Sequence, residues 1–217
     1  MRTNPFYDAW LFLIGDTGDH QRSGVPHLLV VIFLAALLAS VLIAWRNWQR
    51  DPTPRTIGHL ATWFMRVMIG CMWFQGSLWK LPLPISGGFQ YWLEQEIPNA
   101  AFGWHSWIIE HVLARNIILV NLPVFLTEFG MGLSFILGFL VRPFAVIGIL
   151  FTLQLWLGLY KHSGEWPWEY IFLVFVLGFF LLHNVGRSLG LDALLTREPI
   201  GPFAGDGLIA RLYRKVT

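Results

Sequence analysis

Charge and cysteine are what this sequence has least of. Of its 217 residues, 13% are charged, roughly half the share of about 25% found in soluble domains. That scarcity argues against a water-soluble exterior. A single cysteine, Cys71, excludes an intrachain disulfide. It also excludes a relay from a dithiol pair on this chain to a quinone, which needs two thiols. The basic surplus is only +2 and is spread along the chain, so no nucleic-acid partner is expected. The apolar stretches contain no Glu-x-x-His or His-x-x-x-His spacing, and no metal is expected. No secretory signal is expected at the N-terminus either, because Tyr7, Asp8, Asp16 and Asp19 interrupt any apolar run there.

Apolar residues make up 55% of the chain, and twelve are Trp. Trp favours the membrane–water boundary, where both its ring and its N–H find partners. Five apolar stretches stand out, at His27–Trp45, His59–Leu81, Asn121–Leu140, Pro143–Tyr160 and Pro167–His183. Each approaches the roughly 20 residues that a bilayer requires of a helix. In hydrocarbon the backbone must satisfy its own hydrogen bonds, so an all-α polytopic membrane bundle is expected. Asn121 is placed to cap the third helix, with Pro123 in its first turn. With the N-terminus outside, nine Lys and Arg fall inside and five outside, which predicts a cytoplasmic C-terminus. The connection over 85–120 mixes Trp and Phe with Glu and His, as amphipathic helices at the interface do. It reads either as a lid over a site or as a plain anchor.

Charges within the spans are the candidate functional groups, because placing them there is costly. Arg66, Gly70, Trp73, Ser77 and Lys80 recur every three or four residues. They form one stripe about 21 Å long with a cation at each end, which should face protein. Glu128 is the acid of the third span and the natural counter-charge to Lys80 or Arg66. Gly130, Ser134 and Gly138 recur every four residues and predict a seam for close helix packing. The three charges read either as a structural ion pair or as groups acting on a ligand. Trp73, Phe74 and Phe125 are candidates to line an apolar slot, and Gln154 adds a polar group mid-span. His59 and His183 lie at span ends, where His is ordinary, so no haem is expected.

Arg66-x3-Gly70-x5-Gly76-x3-Lys80, Glu128-x-Gly130, Gly138-x3-Arg142-Pro143 and the closing Gly186-Arg187-Ser188-Leu189-Gly190 together resemble the DoxX/DoxD-like family. The resemblance covers about 59–195. It implies a four-helix core there, preceded by an added N-terminal helix within 1–58 and followed by a cytoplasmic tail at 196–217. It also implies a bacterial or archaeal cytoplasmic membrane. Some members are small subunits of thiosulfate:quinone oxidoreductase. The resemblance therefore implies a subunit of a quinone-linked complex, with Arg66, Lys80, Glu128 and Arg142 at the family's charged positions. No flavin, haem or iron–sulfur motif is present, so electrons would come from a partner subunit. Two other readings stand beside it: a non-catalytic subunit of a larger membrane assembly, and a small-solute or proton transporter. The transporter reading lacks the inverted repeat and interrupted helices it would call for.

Overall fold

The computed structural model describes residues 4–217, whose regular structure is all helix, with no strand among them. The chain opens with two short helices, α1 (Pro5–Ile14) and α2 (Gly18–Arg22). Asn4 caps α1 by accepting from the N–H groups of Phe6 and Tyr7. Then come α3 (Pro26–Arg50), α4 (Ile57–Ser77), α5 (Gly87–Asn99), α6 (Gly103–Ile108), α7 (Ile117–Leu137), α8 (Val141–Gly158) and α9 (Pro167–Leu182). Two small helices, α10 (Leu191–Arg197) and α11 (Leu208–Val216), close the chain.

Four helical runs are long and apolar enough to cross a membrane: Pro26–Arg50, Ile57–Lys80, Gly103–Leu137 and Val141–Gly158. They fit a multi-pass membrane protein. The fifth expected span is α9, apolar but only 16 residues long. At 1.5 Å per residue it reaches about 24 Å, short of a hydrocarbon layer about 30 Å thick. Phe64, Leu119, Leu126, Leu150, Phe175 and Leu182 are more than half exposed on these helices. Such outward apolar residues are solvated by lipid and would be a liability in water.

The bundle is built on two extensive helix pairs, α4 with α7 and α8 with α9, and α3 leans on α7. One core cluster joins α4, α7, α8 and α9 through Trp73, Met131, Phe135, Ala145, Leu177 and Phe180. A second joins α3 to α4 and α7 through Leu29, Phe33, Phe74 and Ile136.

The close approach of α4 and α7 is made by Gly70 and Gly132. A Cβ on Gly70 would lie 2.7 Å from the Ile136 nitrogen, and one on Gly132 would lie 2.8 Å from that of Phe74. The expected Gly130–Ser134–Gly138 seam does not carry this contact. Gly130 faces the Phe144 ring instead, and the Ser134 hydroxyl donates to the Phe139 carbonyl at 2.6 Å. Gly138, at φ 71°, ends the helix in the left-handed conformation.

Two boundaries also move. Helix α7 begins four residues before Asn121, so Asn121 lies inside the helix rather than capping it. Its buried amide donates to the carbonyls of Lys80 and Pro84, tying the end of α4 to α7. Helix α8 begins at Val141, ahead of Pro143, because it is capped from a distance. Asp192 accepts from the Leu140 N–H at 2.9 Å and the Val141 N–H at 3.4 Å.

Candidate functional site

A cavity of about 460 Å³ opens at the end of the bundle where α4 gives way to α5. Its walls come from the end of α4, from α5, and from α7, α8 and α9. Most are apolar, with Trp73, Trp79, Phe89, Trp92 and Phe151 prominent. The indole N–H of Trp73 is buried and has no acceptor among the described residues.

Helix α5 supplies the cover. Phe89, Leu93 and Glu96 recur at helical spacing and form its buried face. Tyr91, Trp104 and Trp107 point outward and are more than half exposed, as an interfacial segment requires. The 85–120 segment thus covers the cavity with one face and turns aromatic side chains outward on another. Its latter part runs through Ile109–Leu113 as one π-helical turn before straightening into α7.

Three polar groupings break the apolar wall. Lys80 Nζ lies 2.7 Å from Glu128 Oε2, and this ion pair is almost fully out of solvent. Lys80 also donates to the Gly76 carbonyl at 3.2 Å, which fixes the ammonium against the end of α4. Across the cavity, Gln154 Nε2 donates to Glu96 Oε2 at 2.6 Å. Glu96 is 4% exposed, and burial holds its carboxyl up at about 7, with Gln154 and then Lys80 pulling the other way. Lastly, Tyr170 at the start of α9 donates its hydroxyl to Glu165 at 2.8 Å. The cavity therefore offers one neutralised pair, one acid poised near neutrality and a hydroxyl–carboxylate pair. Together they can hold and exchange protons with a largely apolar guest.

The expected site residues separate into two groups. Lys80, Glu128, Trp73 and Gln154 meet in the cavity. Phe74 and Phe125 do not. Phe74 sits one residue on from Trp73, about 100° around the helix. It is buried between Phe33 and Phe129, at ring distances of 5.0 and 5.4 Å. Phe125 stacks on Phe129 in the same α3-facing cluster.

Arg66 is also elsewhere. The predicted stripe is buried along its length, but it carries Arg66 to the opposite end of the bundle, roughly 21 Å from Lys80. There the guanidinium is fully buried and donates to the Phe135 carbonyl at 2.5 Å. Its partners are the backbone carbonyls of Phe135 and Ile136, and it forms no ion pair with Glu128. Arg142 donates to the Leu181 carbonyl at 2.9 Å and joins α8 to α9. Both arginines serve the packing of helix ends.

Glu96, Glu165, Tyr170, Trp79 and Trp92 complete the site and were not among the expected residues. For Glu96 a signal existed: an acid seven residues after Phe89 and three after Leu93 lies on the apolar face of α5. Set against protein-family models, curated proteins and solved structures, the chain matches none of them.

Proposed function

We propose that the chain is an integral membrane subunit of a quinone-linked redox complex, and that the cavity is where the quinone ring is held. The observation that carries this reading is an apolar, aromatic-walled cavity into which the Lys80–Glu128 pair and Glu96 both face. A cavity of about 460 Å³ lies within the range of roughly 300–1,000 Å³ typical of small-molecule sites. The donor set suits a ring with a carbonyl at each end. Lys80 and the orphaned Trp73 N–H are donors, and Glu96 can present either a proton or a lone pair. The bound quinone would accept electrons delivered by a partner subunit. Glu96 would hold a proton near one ring oxygen, Lys80 would orient the other, and α5 would keep water out. The likeness of the Gly- and Arg-bearing motifs to the DoxX/DoxD-like family points the same way, and with it a bacterial or archaeal cytoplasmic membrane.

The test is isolation of the full chain from its native membrane in mild detergent, followed by solvent extraction. Quinone at near-stoichiometric yield, lost in Lys80→Met, together with a co-purifying redox protein, is the expected result. A stoichiometric protein partner with no quinone would favour the structural-subunit reading. Quinone retained undiminished in Lys80→Met would place the ring somewhere other than this cavity.

A further inference from the structure

Helix α11 has three faces. The first is held by the protein. Ala210 is fully buried, and the Tyr213 hydroxyl donates to Asp192 at 2.7 Å. The Tyr213 ring also packs on Phe203 and Phe139, at 4.7 and 6.1 Å. Asp192 in turn caps Leu140, in the turn between α7 and α8, both counted among the spans. The helix is therefore fixed at the level where two spans leave the membrane.

The second face is apolar and open. Leu208, Ile209 and Leu212 are 67%, 55% and 53% exposed. At about 100° per residue they share an arc of about 100° next to the protein-held face. The third face, on the far side of Leu208, carries Arg211 and Lys215, both exposed.

Charge complementarity identifies what covers the open face. The acids at this end are already engaged: Glu198 with Arg46 and Arg50, Asp51 with Arg197, and Asp206 with Arg214. Arg211 and Lys215 have no acidic partner among the described residues. An apolar strip bordered by two free cations, pinned at the height of the span ends, matches a layer that is apolar below and anionic above.

We propose that α11 is a surface anchor. It lays Leu208, Ile209 and Leu212 into the headgroup boundary of an anionic phospholipid membrane, with Arg211 and Lys215 against lipid phosphates. The proposal rests on the bilayer reading of the bundle and is independent of any guest in the cavity.

The test uses the full chain with Leu212→Cys in a Cys71→Ser background, carrying an environment-sensitive fluorophore. Ile209→Cys is the second labelling position should Leu212→Cys fail to fold. The protein is reconstituted in phosphatidylcholine vesicles with or without phosphatidylglycerol, each containing a lipid with a quencher near its headgroup. Blue-shifted emission and strong quenching are expected, both rising with phosphatidylglycerol. Arg211→Gln with Lys215→Gln, or high salt, should weaken the anionic-lipid contact by roughly tenfold or more. Emission typical of water in both vesicle types would overturn the proposal. So would equal quenching in both, which removes the headgroup preference. A label already shielded in detergent and never quenched by lipid would assign the face to protein instead.

Discussion

The Lys80–Glu128 pair is a buried contact whose loss is expected to cost more than its presence contributes. Desolvating both ions consumes most of the Coulombic gain, but removing one partner strands the other. Glu128→Gln should therefore destabilise the bundle by about 3–5 kcal/mol, read as a fall in unfolding temperature in detergent. A Lys80→Met, Glu128→Leu double variant should recover most of that loss, because no charge is then left alone. Equal losses in the single and double variants would deny that a stranded charge is the cause.

Glu96 gives a pH dependence of definite sign. Its carboxyl is held up at about 7 in the folded protein, above the ordinary value of 4.5. Between those values the folded state binds the proton that the unfolded state has released. Stability should thus be greatest at low pH, fall as pH rises from about 4.5 to about 7, and level off above that. The full fall is of order 3 kcal/mol. Glu96→Gln should flatten this part of the profile, as measured by unfolding across that pH range. A profile unchanged by the substitution would mean that Glu96 does not titrate there.

Between helices, the decisive geometry is the contact of α4 with α7 at Gly70 and Gly132. Gly132→Leu should prevent assembly of the pair, because its side chain would meet the Phe74 backbone, which has no room to move. Gly178→Ala, on α9 with nothing within 4 Å, should be neutral or slightly stabilising, since Ala is the better helix former. Yield and monodispersity in detergent separate the two outcomes.

This contact shows how far the sequence could be read. Hydrophobic length located the long helices, and their small residues announced a close approach. The Gly130–Ser134–Gly138 spacing marks a different side of α7, where Gly130 meets the Phe144 ring of α8 and Gly138 meets Arg66, because periodicity does not say which neighbour a face meets. Local signals mislead in the same way at the starts of two helices, α7 and α8. Asn121 looked like a cap, yet it bonds to the carbonyls of Lys80 and Pro84. The real cap of α8 is Asp192, which lies far along the chain.

For the site, depth and scarcity of charge point to Lys80 or Arg66 as the partner of Glu128, and the structure settles on Lys80, 2.7 Å away, with Arg66 bonded to the Phe135 carbonyl instead. Phe74 and Phe125 were grouped with Trp73 for their aromatic character alone. The rotation of α4 and α7 about their axes sends them to the α3 side instead. The spacing of Glu96 after Phe89 and Leu93 marks it as a buried-face acid, but which cavity it meets is set by the long-range packing of α5, and that of Tyr170 by the packing of α9.

Taken whole, the molecule is a helical bundle fit for a bilayer, with an aromatic-walled cavity at one end and a basic end opposite. Photolabelling the reconstituted full chain with a photoactivatable short-chain quinone, then mapping the adduct by peptide mass spectrometry, tests the cavity assignment most directly. Adducts should fall on the end of α4 around Trp79 and on α5 around Trp92, and excess unmodified quinone should suppress them. Labelling confined to lipid-facing residues such as Phe175 and Leu150, unaffected by competitor, would contradict the assignment of the cavity to a quinone.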